Sequence, residues 1–195
     1  MGKGQLTRHA VLDQAARTAS EVGLRGVTIG SLADVMHMSK SGLFAHFGSK
    51  ESLQLATVRH TRDQFVNLVI RPALAAPRGE PRMRALFENW LEWDTRVLPG
   101  GCLFVAAAVE FDDEPGAVRD ELVRNQLDLG ETIARVFRGG ITEGHFRQDA
   151  DPEQFAFHMH GILLAFHQHS RLLSDPLAAQ RARRALDTLL DAARP

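Results

Sequence analysis

Cysteine is almost missing: Cys102 stands alone among 195 residues. That excludes a disulfide framework and a cysteine-only zinc site. No run of 18 apolar residues occurs, and no basic start leads into an apolar stretch, so neither a membrane span nor a signal peptide is expected. The expected location is therefore cytoplasmic. Alternation of period two and β-branched clusters are scarce, which argues against a sheet. There is no internal repeat and no low-complexity segment. No Ser/His/Asp order, glycine-rich phosphate loop or HExxH supports an enzyme, so no catalytic residue and no cofactor is expected. Lysine is also rare. Lys3, Lys40 and Lys50 are the three, all within the first 50 residues.

What is present describes an ordinary globular chain, 44% apolar and 24% charged, long enough for one or two domains with a real core. The net charge of −1 conceals a split. Residues 1–62 carry eight Lys/Arg against four Asp/Glu, and the remainder carries fifteen against twenty. A basic end on an acidic body points to a polyanion met at one end only.

Helical spacing runs through the chain. Val11, Leu12, Ala15, Ala16, Ala19 and Val22 form one stripe, and Gly23 supplies a left-handed stop. Thr28 is placed to cap a short helix over 29–36, Ser39 another over 40–46, and Ser49 a long one over 50–71. Pro72, Pro77 and Pro81 predict a loop. Met83, Leu86, Phe87, Trp90 and Leu91 then follow amphipathic spacing up to Pro99-Gly100-Gly101. Residues 103–111, LFVAAAVEF, read as a helix buried on every side. Val118, Leu122, Leu129, Ile133, Val136 and Phe137 mark the next helix, weakened by Gly139 and Gly140 by about 1 kcal/mol each. Asp151-Pro152 opens a helix bearing Phe155, Met159, Ile162, Leu163 and Phe166, and Asp175-Pro176 repeats that opening before Leu177, Ala182, Leu186, Leu189 and Leu190. The reading is all-α, with about nine helices. The N-terminal ones form a three-helix helix-turn-helix domain, and the rest form a larger helical domain.

Residues 28–50, TIGSLADVMHMSKSGLFAHFGSK, carry the function. Two short helices joined by about three residues have the form of a helix-turn-helix, whose second helix enters the major groove. That helix starts small and polar (Ser39, Lys40, Ser41, Gly42), and Leu43 and Phe47 can pin it to a core. Lys50 falls in the first turn of the next helix, where free N–H groups favour phosphate. A helical hairpin with no DNA role is the bland alternative, and the charge split speaks against it.

Gly23, Gly26, Thr28, Leu32, Ala33, Ser39, Lys40, Leu43-Phe44-x-His46-Phe47 and Ser49-Lys50-Glu51-x-Leu53 together resemble the TetR family of bacterial transcriptional regulators. Residues 101–190 look like one branch of it through GCLF, EFDDEPG, GHFRQDADPEQFAF and RLLSDP. The resemblance implies a DNA-binding domain at 1–60, with its motif at about 29–48, and a ligand-binding and dimerisation domain at 61–195. It implies a homodimer on an inverted-repeat operator in double-stranded DNA, most simply a repressor released by a small apolar ligand. An activator or a ligand-independent regulator is the alternative, and a helical enzyme or carrier ranks last. The DNA-facing set is Thr28, Ser39, Lys40, Ser41, Phe44, His46 and Lys50. Phe44 lacks the phenol of the tyrosine common there, so packing is its other reading. His37 replaces the usual turn glycine, which predicts strain or a slightly altered turn.

Trp90, Trp93, Phe104, Phe111, His158 and Met159 are the ligand-pocket residues expected, because such pockets are mostly apolar with a few polar groups. The last two helices are the expected dimer face. His158, His160, His167 and His169 are read as pocket lining or dimer contacts, not as a metal site. The acidic run 110–114 is read as helix capping, and Cys102 as an unreactive thiol.

Overall fold

The computed structural model describes residues 3–195, with side chains from Arg8 onward. Nine helices and no strand make up the described residues. They are α1 (Lys3–Val22), α2 (Ile29–Val35), α3 (Lys40–Phe47) and α4 (Lys50–Phe65, a π-helical turn Val66–Ile70, and Arg71–Ala75). Next come α5 (Glu80–Glu92 with a π-helical turn Trp93–Val97), α6 (Leu103–Phe111), α7 (Ala117–Thr142), α8 (Pro152–Arg171) and α9 (Ala178–Ala193). The chain divides into two compact units: residues up to Gln64 with Leu98–Arg124, and Phe65–Val97 with Asn125–Pro195.

In the first unit, Val11, Leu12, Ala15, Ala16 and Ala19 of α1 are buried with Leu24, Leu32, Leu43, Leu53 and Val58. Val22 departs from the expected stripe: it is 62% exposed, because the helix ends there. Helix α6 is buried on one face only. Leu103, Phe104, Ala107 and Phe111 point in, while Val109 is exposed. Gly100 in the preceding turn donates its N–H to Ser20 Oγ at 3.0 Å. A Cβ at Gly100 would lie 1.6 Å from the Ser20 carbonyl oxygen, so backbone meets backbone and only glycine fits.

The second unit has an aromatic core. Phe137 stacks on Phe146 at 4.4 Å and on Phe155 at 4.2 Å, and Trp90 meets Phe166 edge-on at 6.3 Å. All five stripe residues of α5 are buried as the spacing predicts. The two helix glycines differ. A Cβ at Gly140 would lie 2.3 Å from the Phe146 ring, so this glycine admits the stack, whereas Gly139 faces open space. Arg194 hydrogen-bonds Glu80 and holds its carboxyl below the usual carboxylate range, joining the end of α9 to the start of α5.

Two helix boundaries differ from the expectation. Pro72 lies inside a helix, not in a loop. A proline cannot donate to the carbonyl four residues back, and the ladder widens just before it: Arg71 N–H bonds to the Val66 carbonyl, five residues back. Asp175-Pro176 does not cap α9 as Asp151-Pro152 caps α8. Asp151 Oδ1 accepts from the N–H of Glu153 and Gln154 at 3.0 and 2.9 Å. Asp175 instead takes the Leu177 N–H at 2.9 Å and pairs with Arg181, so α9 begins only at Ala178.

The Gly100 contact sets a test. Gly100→Ala should cost about 2–3 kcal/mol through overpacking against the Ser20 backbone. Thermal unfolding should show Tm lowered by roughly 5–10 °C.

Candidate nucleic-acid interface

Helix α2 starts with a reciprocal cap. Thr28 Oγ1 accepts the Ser31 N–H at 3.0 Å, and Ser31 Oγ accepts the Thr28 N–H at 3.2 Å. Helix α3 starts on Ser39, whose Oγ accepts the Gly42 N–H at 3.1 Å. Helix α4 starts on Ser49, whose Oγ accepts the Ser52 N–H at 3.0 Å. Thr28 and Ser39 were expected at the DNA. Both hydroxyls serve as cap acceptors; the Thr28 hydroxyl also lies 2.9 Å from Ser31 Oγ, so the O–H proton of Ser39 is the freer of the two to meet a phosphate.

His37 closes the turn between α2 and α3 in the left-handed region, at φ 52. The Met38 N–H reaches the Ala33 carbonyl at 2.9 Å, the six-to-one closure that normally ends on glycine. The motif thus persists, with a strained residue at its turn.

Helix α3 buries only Leu43 and Phe47. Lys40, Ser41, Phe44 and His46 are exposed, as is Lys50 at the start of α4. Phe44 is 56% exposed, so a role in core packing does not apply. No acidic residue lies on α3. The Lys40 ammonium lies near the first turn of α2: a Cβ built on Gly30 would have Lys40 Nζ and Thr28 Oγ1 each at 3.8 Å. The three expected donors Thr28, Lys40 and Ser39 thus gather at adjoining helix N-termini.

Charge pairing is dense in the second unit. The acidic residues of α5 to α9 take up arginines: Glu88 with Arg183, Glu131 with Arg135 and Arg138, Asp175 with Arg181, and Glu80 with Arg84 and Arg194. Among the described residues, Lys40 and Lys50 have no ion-pair partner.

The turn between α1 and α2 is held by the acidic run at 110–114, in a role the sequence did not show. Glu110 accepts the Leu24 N–H at 2.9 Å and the Arg25 N–H at 2.8 Å. The Arg25 guanidinium lies over the Phe111 ring at 5.1 Å and pairs with Glu114 at 2.5 Å. Gln54 of α4 donates to the Leu24 carbonyl at 2.9 Å. The acidic run therefore clamps a distant turn, and does not cap its own helix as expected. The EFDDEPG run was visible in the sequence; its partner 85 residues away was not.

The pocket residues fall in both units. Phe104 and Phe111 are buried in the first, and Trp90, Trp93 and Met159 in the second. His158 is exposed and lines a groove of about 620 Å³ between α8 and α9, with Phe157, Gly161, Ile162, Ala165 and Leu189. The four histidines of α8 separate likewise. His167 Nδ1 lies 2.6 Å from the fully buried Asp94, His169 lies 3.4 Å from Asp175, and burial pushes the pKa of His160 down.

A capped helix-turn-helix with an unpaired cationic face defines a DNA-binding transcriptional regulator of the bacterial helix-turn-helix class. Residues 11–57 match the family described as bacterial regulatory proteins, tetR family, and residues 79–186 match the tetracyclin repressor-like C-terminal domain. The chain belongs to the TetR family. It is 32% identical over 87 residues to the HTH-type transcriptional regulator BetI of Burkholderia mallei (strain NCTC 10229). That match covers 44% of this chain and 45% of BetI, so it spans about half the length of the curated relatives it matches. The fold is similar to a TetR transcriptional regulator from Chloroflexus aurantiacus J-10-FL, with TM-score 0.82 and 25% identity over 98% of this chain and 96% of that one. It is also similar to a TetR-family regulator from Cytophaga hutchinsonii, with TM-score 0.86 and 18% identity over 100% and 98%. No described helix is long and apolar enough to cross a membrane.

The strained turn gives a prediction. His37→Gly should relieve the left-handed penalty and, net of the added freedom of glycine when unfolded, stabilise by about 1 kcal/mol. Tm should rise by roughly 2–4 °C in a thermal melt.

Proposed function

We propose that the chain is a repressor that binds an inverted-repeat operator as a homodimer, with residues 1–60 on the DNA and 61–195 serving dimerisation and ligand binding. The observation that carries this reading is the pair of lysines left without carboxylate partners on the α3–α4 surface. On an acidic body that pairs many of its own arginines, such cations are free to meet phosphate. A dimer supports the palindrome, since two recognition helices in successive major grooves must lie about 34–36 Å apart or a multiple of it.

The dimer face in this reading is α8 with α9. The stripe residues Phe155, Met159, Leu163, Ala182, Leu186 and Leu190 are buried within the chain itself. Phe157 (74% exposed) and Leu164 are left outward, beside the α8–α9 groove. The small apolar inducer is assigned to the second unit's core at Trp90, Trp93 and Met159. Trp93 Nε1 is a buried donor with no partner there, next in sequence to the Asp94–His167 pair. Such a core offers a mostly apolar ligand one or two polar anchors.

Four measurements test this reading. The dimer should neutralise about six phosphates, giving a log–log salt slope near −5 on operator DNA. A slope near zero, with no fragment shifted at low salt, overturns the DNA assignment. Lys50→Ala should weaken operator and random DNA alike, lowering the slope by about one per contact. Lys40→Ala should cost ~1–3 kcal/mol on the operator and much less on random DNA, if its ammonium reads guanine O6 and N7. Equal losses on both would make Lys40 a phosphate contact. Phe157→Asp should give a monomer in light scattering with unchanged helix content; a persisting dimer would move the interface off α8.

A further inference from the structure

One group of three metal-ligating side chains stands out among the described residues. His9 and Asp13 of α1 and His60 of α4 present ligand atoms all within 4.8 Å of one another. His9 and Asp13 are four apart, hence on one helical face. His60 is buried, Asp13 half-buried and His9 exposed. We propose that these three side chains form a site for a divalent transition metal ion, zinc or one of like chemistry, tying α1 to α4.

Asp13 Oδ1 is the acceptor at the centre of this cluster: His60 Nε2 lies 2.7 Å from it and Gln64 Nε2 donates to it at 2.8 Å. The two nitrogens crowd together on that oxygen, 3.2 Å apart, and Gln64 Oε1 is buried without a partner. An ion in place of the His60 proton would bridge the His60 nitrogen and the Asp13 carboxylate, with the Gln64 amide supporting the ligating carboxylate from behind.

The donor set fits a borderline ion. Two imidazoles and one carboxylate bind zinc at about 2.0–2.2 Å with a further position open. Tetrahedral ligands at that radius are about 3.3 Å apart. The His60–Asp13 pair must open slightly and His9, an exposed side chain, must close in, both by side-chain rotation. A groove of about 650 Å³ beside the cluster, lined by His9, Ser52, Arg59, His60 and Asp63, leaves the open position to water. Of the two cations in this groove, Arg59 is paired with Glu121 at 2.9 Å and the Arg8 guanidinium lies over the Phe47 ring at 5.2 Å.

The experiment titrates the full chain, stripped of metal by chelator, with Zn²⁺ and with Co²⁺. Saturable binding at one ion per chain is expected, with visible Co²⁺ absorption from an imidazole-bearing site. At a hundredfold excess over Kd, Tm should rise by about 5 °C or more. His9→Ala should lower the chelator-treated Tm by no more than a few degrees, since His9 is exposed and gives up only its edge-on ring contact with His60 at 4.7 Å, while lowering affinity at least tenfold and abolishing the metal-induced shift. Asp13→Asn should do the same to affinity. No saturable binding up to millimolar Zn²⁺ overturns the proposal. Undiminished binding in His9→Ala also overturns it, by assigning the ion to other histidines such as those of α8.

Discussion

The carboxylate of Glu110 on the backbone of Leu24 and Arg25 is the contact on which the placement of the DNA-facing helices depends. The Leu24 and Arg25 N–H groups lie in a turn outside any helix ladder, and a bidentate carboxylate satisfies both with charge-assisted bonds. Gln54 takes the neighbouring carbonyl from the other side. With the turn fixed at both its donors and its acceptor, α2 leaves in one direction, and its own reciprocal cap and α3 follow from there. Gly100 adds a second constraint on the same stretch by bringing its backbone against the end of α1.

Electrostatics divides the chain by residue type as well as by position. Many arginines, with their planar forks, are used in fixed pairs with carboxylates, as in Arg183–Glu88 and Arg194–Glu80. Around Glu121 burial alone would raise the carboxyl, yet the guanidiniums of Arg124 and Arg59 hold it below the usual range. Among the described side chains, the two lysines, Lys40 and Lys50, lie on the surface around α3 and are left unpaired. A partner with many phosphates then meets no competing internal salt bridge there.

Much of the fold was legible because periodicity, caps and glycine stops are local. The stripe of α5, the caps Thr28, Ser39, Ser49 and Asp151, and the left-handed turn at His37 all depend on residues within one or two turns. Where the reading slipped, a nonlocal contact or a small change in hydrogen-bond register was the cause. Pro72 sits in a helix because a π-helical turn precedes it. Val109 is exposed although its run is apolar nearly all round, because burial of α6 is confined to the face of Leu103, Phe104, Ala107 and Phe111. Asp175 is drawn to His169 and Arg181, and so α9 starts late.

By itself, the sequence determined an all-helical chain, a helix-turn-helix with its exposed cations, and membership of the TetR family, since each is written in spacings shorter than a helix or in a distributed motif. Only the tertiary structure decided that Glu110 holds the turn before α2, that Gly140 makes room for Phe146, and that His9, Asp13 and His60 converge. His9 and Asp13 are visible as a pair four apart, but their third partner lies 47 residues beyond Asp13. Which distant segment reaches such a pair is set by how α1 packs against α4, through side-chain volumes and burial that no local spacing encodes.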